Sequence, residues 1–191
     1  MTNTMTAPKS ISEYHTLSDT NPSAVDVSRA HFMANWSQID QPSSSHEDWQ
    51  YVPLEGVFNQ PYTLASEPEL PTVPLELGQL VFVDGFYQAS LSQVPDGVDV
   101  RSSRVPMTSL LTFNESFKVF SPSYFQHMSY ALAPEMTEIQ IQPSLKLDIP
   151  LRILLLTTMS GHLSFPQIQW MVSEGASIEV IVDHQDQASA G

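Results

Sequence analysis

Histidine and carboxylate side chains are the groups of this sequence that could bind a metal ion or move protons. The histidines are His15, His31, His46, His127, His162 and His184. No two of them have the close spacing of a zinc motif such as H-x-x-x-H. His184 lies beside Asp183 and Asp186, but chelation needs a rigid constellation and this is a polar segment. We therefore predict a solvated histidine there and assign no metal ligand.

Ser160-Gly161-His162 places a hydroxyl beside an imidazole, the pair of groups that many nucleophilic enzymes use. Adjacency along the chain does not supply a base across space, and the sequence has no G-x-S-x-G motif and no phosphate-binding loop. We predict that this tripeptide is a turn between strands at 151–159 and 163–172. No catalytic residue and no cofactor-binding residue is assigned.

Charge and cysteine content exclude several kinds of site. The 191 residues contain no cysteine, so the chain can form no disulfide and supplies no thiolate ligand. Seven basic and 21 acidic residues give a formal net charge of −14. Such a surface repels phosphate backbones and anionic lipid, so we predict no nucleic-acid or membrane binding but allow a basic protein partner.

Local signals predict a location and a domain organisation. Residues 1–17 carry no secretory signal and the apolar run Ile153–Leu156 is too short to span a bilayer, so we expect a cytoplasmic protein. Composition predicts a disordered leader over 1–20. Asn21-Pro22 can begin a helix over 22–39 in a helical part that extends from 21 to 58. Frequent prolines predict a linker over 59–78, followed by a β-rich region over 79–191.

The β-rich region shows turn chemistry and two-residue alternation. Asp84-Gly85 predicts a hairpin between Leu80–Val83 and Phe86-Tyr87. We also predict a strand near Val98–Arg101 and a short helix within 121–133. Alternating apolar sets follow at Ile139 and Ile141; at Leu151, Ile153 and Leu155; at Ile168, Trp170 and Val172; and at Ile178, Val180 and Val182. This pattern predicts a sandwich, a barrel or a solenoid.

The last predicted strand leaves an open sheet edge unless the residues after it fold back. Natural proteins cover, charge or shorten such edges. The chain therefore either stops before its sheet is finished or expects a partner strand. The alternative is a short edge strand that Glu179 and Asp183 protect from further pairing.

Three blocks of the sequence, in order, resemble the SufB/SufD family of iron–sulfur cluster assembly proteins, and the SufD type in particular. The first is Ser45–Gly56, with Trp49, Tyr51 and Leu54 in register. The second is the hairpin Leu80–Tyr87 with its Asp-Gly turn, and the third extends from Leu154 to Ile181. The likeness covers roughly residues 45 to 183 and only the N-terminal portion of the family chain.

The resemblance implies a mainly β protein with an N-terminal α-helical part, followed by the beginning of a right-handed parallel β-helix, or β-solenoid, that is truncated here. Family members form SufB–SufC–SufD complexes, in which SufC is the ATPase and SufB carries the nascent cluster. The expected function is a non-catalytic scaffold with SufB-like and SufC-like partners. The complex, not this chain alone, would handle the iron–sulfur cluster and ATP.

Two departures from the family limit what can be transferred. The later solenoid rungs and the C-terminal helical part are missing, and by resemblance these hold the SufC contact. We therefore transfer no functional residue and expect residues 1–191 alone not to bind SufC. Ser43-Ser44-Ser45 stands where relatives often carry basic residues, which puts any role of those charges in doubt.

The remaining alternatives concern aromatic and histidine side chains. Trp49 and Tyr51 could form a docking surface or could pack the helical part onto the solenoid. Packing is favoured, with Leu54 and Phe58 in the same cluster. A rival function is a small β-sandwich or cupin-like enzyme with metal at His162 or His184. A β-rich module for sugar or peptide is a third, but it needs an exposed aromatic platform and alternation predicts that Trp170 is buried.

Overall fold

The computed structural model describes residues 8–17, 33–103 and 124–188. These residues fall into two compact units. The first contains the described residues up to Leu64 together with Tyr124–Leu132, and the second contains those of 65–103 and 133–188. The described chain is mixed α/β, and its regular elements are mostly strands with few helices.

The first unit is mainly helical. Its helices are α1 (Ile11–Leu17), α2 (33–37), α3 (Leu54–Phe58) and α4 (Tyr124–Leu132), with a 3₁₀ turn at Glu47–Trp49 and a short strand β1 (Thr63–Leu64). Of the predicted helix over 22–39, only α2 and the residues after it are described. The helix predicted within 121–133 is confirmed as α4, with Tyr124, Met128 and Leu132 buried. It lies inside the predicted β-rich region but belongs to the first unit.

Helix α1 lies within the segment that composition predicts to be a disordered leader. Ser10 and Glu13 form a reciprocal capping box: the Ser10 N–H donates to Glu13 Oε2 at 2.6 Å, and the Glu13 N–H donates to Ser10 Oγ at 3.2 Å. Ile11 and Tyr14 are buried. The Tyr14 hydroxyl donates to the backbone oxygen of Tyr62, 3.2 Å away. A local cap and distant contacts therefore stabilise a helix that the polar composition does not predict.

The second unit is built from short strands. They are β2 (Gln79–Val83), β3 (Phe86–Tyr87), β4 (Val98–Ser103), β5 (Met136–Ile141), β6 (Leu151–Thr157), β7 (His162–Leu163), β8 (Gln167–Val172) and β9 (Val180–Asp186). One sheet has the order β3-β2-β6-β9 and another the order β4-β5-β8. Both are open sheets, so the described strands form no closed barrel.

Most pairs in these sheets are parallel and join strands far apart in sequence. β2 pairs with β6, β6 with β9 and β5 with β8, all in parallel, whereas β2–β3 and β4–β5 are antiparallel. From β5 onward the main strands alternate between the two sheets. Parallel partners need a long connection, and here the connection passes through the other sheet.

An apolar core includes buried residues from both sheets. Leu80, Leu151 and Ile153 come from one sheet, and Ile139 and Ile141 from the other. β6 is also buried on its other face, where its Leu154 and Leu156 cluster with side chains of β2. A strand covered on both faces needs a continuous apolar run, which explains the sequence Ile153–Leu156.

The hairpin between β2 and β3 is confirmed. Asp84 and Gly85 both have positive φ, 48° and 89°, as a two-residue turn with right-handed strand twist requires. A Cβ on Gly85 would lie 3.0 Å from the backbone nitrogen of Phe165, so a larger residue has little room. The predicted strand near Val98–Arg101 is confirmed as β4.

The carboxylate of Asp84 connects this turn by hydrogen bonds to Thr158, the residue that follows β6. Its Oδ1 accepts a hydrogen bond from the Thr158 N–H at 2.8 Å, and its Oδ2 accepts one from the Thr158 hydroxyl. Its own N–H donates to the backbone oxygen of Leu156 at 2.9 Å. Asp84 is buried, so these contacts compensate for the loss of water around its carboxylate.

Candidate functional site

β8 and β9 are the outermost strands of the two sheets, and both carry exposed apolar side chains. Each strand is last in its sheet, with no further strand beside it in the described part of the chain. Ile153 of β6 is 1% exposed, whereas its register partner Val182 is 64% exposed. Ile141 of β5 is 0% exposed and its partner Val172 is 53% exposed. Among the residues that the structure describes, no further strand therefore covers the core beside β8 or β9.

The backbone of β9 offers hydrogen-bonding groups at its outer edge. Glu179 accepts from the Leu151 N–H, and the Gln187 N–H donates to Thr157, both at 2.8 Å. In a parallel ladder, alternate residues direct their N–H and C=O groups to opposite neighbours. Since residues 179 and 187 face β6, the even-numbered residues between them face away from it. β9 thus presents an unpaired strand edge within the described structure.

The charge near this edge is negative. Arg152 donates to Asp183 Oδ2 at 2.5 Å and lies 3.4 Å from Glu76 Oε2. The hydrogen bond with Arg152 lowers the pKa of the Asp183 carboxyl, and the same bond raises the pKa of Arg152. No lysine or arginine follows Arg152 in the sequence. The acidic residues from β8 to the end of β9 are Glu174, Glu179, Asp183 and Asp186.

The predicted metal candidate at His184 has other partners. His184 Nε2 lies 3.1 Å from the Thr157 hydroxyl, and Asp186 accepts a hydrogen bond from the Ala188 N–H at 2.9 Å. Asp183 is bonded to Arg152, and adjacent strand residues point to opposite faces, so Asp183 and His184 diverge. Among residues 8–17, 33–103 and 124–188, no group of three or more His, Cys, Asp or Glu side chains could hold a metal ion.

Ser160 and His162 do not form a nucleophile–base pair in this structure. His162 Nδ1 lies 3.0 Å from the backbone oxygen of Ser160, not from its hydroxyl. Gly161, with φ of 71°, lies in a turn between β6 and β7. The predicted turn at this tripeptide is confirmed.

The remaining histidines do not form a common site among the described residues. His46 Nδ1 lies 3.2 Å from the Ser43 backbone nitrogen, in an exposed turn. His127 is buried on α4. His31 and the side chain of His15 lie outside the described part of the structure.

The aromatic residues of the first block divide between core and surface. The Trp49 ring lies 5.3 Å from the Phe125 ring, and Phe58 is stacked on Phe125 at 5.9 Å. Leu54 is buried on the same short helix as Phe58. Trp49 and Phe58 therefore pack on Phe125 within the first unit. Tyr51 is 89% exposed, so the prediction of packing is wrong for that residue.

No helix in the described ranges is both long and apolar enough to cross a membrane.

Comparison with known proteins gives one informative similarity. No family model matches the chain. Over 126 residues the chain is 26% identical to the iron-sulfur cluster assembly protein SufD of Escherichia coli (strain K12). The match covers 61% of this chain and 28% of that relative, so the chain spans less than a third of the relative's length. The similarity suggests the SufB/SufD family and hints at a role in iron–sulfur cluster assembly.

Proposed function

We propose that this protein is a non-catalytic scaffold component of iron–sulfur cluster assembly in the cytoplasm. It would support a complex with SufB-like and SufC-like proteins, in which the partners handle the cluster and ATP. The observation that carries the proposal is the similarity to SufD over 126 residues. The order of the three blocks in the sequence agrees with it.

The strand arrangement supports the scaffold part of this proposal. β5, β6, β8 and β9 alternate between two sheets, and β8 and β9 pair in parallel with β5 and β6. We propose that these pairs are the first rungs of a right-handed parallel β-solenoid. In a solenoid each rung contacts only its neighbours, so the body is stiff along its axis and can hold partners at a fixed separation.

The polar candidates for chemistry have structural contacts. The Ser160–His162 and His184 contacts belong to a turn and to the β6–β9 pair. The open sheets give no support to a cupin-like enzyme, which needs an enclosed barrel interior for its metal. Trp170 is only partly buried, less than the alternation predicts, but it packs against the core. The aromatic platform of a sugar-binding module therefore gains no support either.

Copurification tests the proposal. The complete gene product, affinity-tagged in its native host, should retain SufB-like and SufC-like proteins, identified by mass spectrometry. The 191-residue chain tagged in the same way should not retain the SufC-like protein. If the complete product retains neither partner while remaining folded by circular dichroism, the assembly role is wrong. Retention of the SufC-like protein by the short chain would place the SufC contact within these residues.

A further inference from the structure

A groove lies in the first unit, between residues 41–44 and the segment 52–59 that contains helix α3. Its volume is about 600 Å³. The buried apolar residues Pro42, Leu54 and Phe58 line it. Phe58 is also stacked on Phe125 of α4, so packing holds this part of the lining in place. The groove therefore offers a preformed apolar surface to a ligand.

Gly56 leaves the groove open on the side of α3. A Cβ at this position would have no heavy atom within 4 Å, apart from its chain neighbours and its own helix backbone. Gly56 does not have a positive φ, so neither backbone conformation nor close packing requires glycine here. Glycine is unfavourable within a helix because it loses the most conformational freedom on folding. Its missing side chain leaves space in the groove that a larger residue would occupy.

Unpaired polar side chains accompany the apolar lining. Ser44, Glu55 and Asn59 line the groove and are exposed. Within the described residues, the side chains of these three form no hydrogen bond or ion pair. The Glu55 carboxylate is therefore available to a cationic group of a ligand, and the hydroxyl and amide groups can bind its polar atoms.

The part of the chain that contains the groove is acidic. Residues 33–64, which include the whole lining, contain no lysine or arginine. Lys9 is the one basic residue of these two types among the described residues of the first unit. The acidic residues of the same set are Glu13, Asp40, Glu47, Asp48 and Glu55. A ligand with arginine or lysine is therefore favoured over an acidic one, and a second copy of this chain, with a net charge of −14, is disfavoured.

We propose that this groove binds a segment of a partner protein in which leucine or a similar apolar residue stands next to arginine or lysine. The apolar side chain packs against Leu54 and Phe58 in the space beside Gly56, and the cation pairs with the Glu55 carboxylate. A protein segment fits better than a small molecule, because most residues of the lining are exposed, whereas small-molecule sites enclose most of the ligand. Grooves that bind peptides recognise such apolar anchors.

Synthetic peptides test the apolar and the basic requirement separately. The probe is a fluorescein-labelled eight-residue peptide in which two leucines flank two arginines, with glycine or serine elsewhere. Fluorescence anisotropy with the 191-residue chain should show saturable binding. Serine in place of both leucines should weaken binding at least about tenfold through lost apolar contact. Glutamate in place of both arginines should weaken it at least about fivefold, because like charges then meet at Glu55.

Gly56→Leu is the informative variant. Its side chain would occupy the groove, and leucine favours a helix more than glycine does, so the variant should remain folded. Peptide binding should fall at least about tenfold. Val57→Leu is the matched control, because Val57 lies on the same helix and is 43% exposed but does not line the groove. Its binding should equal that of the unmodified protein.

Glu55→Gln removes the proposed partner of the cation without filling the groove. It should weaken binding of the arginine peptide about threefold, as expected for an exposed ion pair, and should reduce the difference between the arginine and glutamate peptides. Glu69→Gln is the control, since it removes the same charge from an exposed position in the second unit and should leave binding unchanged.

Several results would overturn the proposal. They are the absence of saturable binding, equal binding of the arginine and glutamate peptides, and undiminished binding by Gly56→Leu that is folded by circular dichroism. An equal loss with Val57→Leu would also overturn it, because the peptide would then contact another face of α3. The peptide assay requires neither a SufB-like nor a SufC-like protein, so the groove and the assembly role are tested separately.

Discussion

Replacing Asp84 by alanine should destabilise the second unit strongly. The substitution removes the two hydrogen bonds that the carboxylate accepts from Thr158. Bonds to a charged group contribute about 1.5–3 kcal/mol each, and a non-glycine residue with positive φ other than Asp or Asn adds about 1 kcal/mol of strain. Thr158 is only partly buried, so water replaces part of this loss. We expect the free energy of unfolding to fall by about 3 kcal/mol.

Asp84→Asn separates the contributions of geometry and charge. Asparagine tolerates positive φ and keeps one oxygen to accept from the Thr158 N–H, while the Thr158 hydroxyl can turn to accept from the new amide. Asp84→Asn should therefore lower the free energy of unfolding by less, about 1 kcal/mol. Asp99→Ala is the matched control, since it removes the same charge from an exposed strand position in the same unit.

Urea unfolding and hydrogen exchange together test this reasoning. The urea midpoint by circular dichroism should decrease in the order Asp84→Asn, then Asp84→Ala, with Asp99→Ala near the unmodified protein. Amides of β2 and β6 should exchange faster in Asp84→Ala, and those of α4, in the other unit, should not change. If Asp99→Ala costs as much as Asp84→Ala, general charge effects and not the Thr158 contacts determine the result.

Three further predictions concern the cap, the ion pair and a buried phenol. Ser10→Ala should cost about 1 kcal/mol of local stability in α1 by removing its bond to the Glu13 N–H, seen as faster amide exchange there. Arg152 lowers the pKa of Asp183, so the pair stabilises the fold at pH values above the unfolded pKa of about 3.9. This stabilisation is lost as the pH falls through the lower pKa of the folded state. Arg152→Met should abolish this pH-dependent part of the free energy of unfolding, measured by urea unfolding between pH 7 and 2. Burial raises the pKa of Tyr124 to about 12. The neutral phenol therefore stabilises the fold below the unfolded pKa of about 10, and this stabilisation is lost as the pH rises to about 12. The ultraviolet titration of the unmodified protein minus that of Tyr124→Phe should show this late ionisation.

Local signals in the sequence predicted the local structure. The hairpin follows from Asp84-Gly85, because the two-residue turn needs positive φ at both positions. The alternation of Ile139 and Ile141 gives a strand whose apolar face is buried, as the structure shows for β5. These features depend on a few adjacent residues, so periodicity and turn chemistry are sufficient to identify them.

These local signals do not predict which residues far apart in the sequence contact each other. The sequence shows that Leu151 and Val180 are apolar strand residues, but not that they pair in parallel across the intervening chain. The contact of Asp84 with Thr158 joins residues 74 positions apart, and only the buried position of the turn explains why an aspartate suits it. α1 was missed because composition outweighed the Ser10–Glu13 spacing, a capping signal that the sequence does contain.

The exposed core positions of β9 lead to a prediction about the stability of the stack itself. Val182 and Ile153 occupy equivalent positions on neighbouring strands, yet only Ile153 is covered on both sides. Burial of apolar area is the main stabilising contribution, so the outermost pair of strands should open with the smallest free energy. The Arg152 N–H of β6, which donates to Gly78 just before β2, should therefore exchange more slowly than the Gln187 N–H just after β9, which donates to Thr157 of β6.

Native-state hydrogen exchange of the 191-residue chain measures this difference. If β9 is as protected as β6, β9 is not the least stable strand of this sheet, and burial of apolar area does not determine the order in which the strands open.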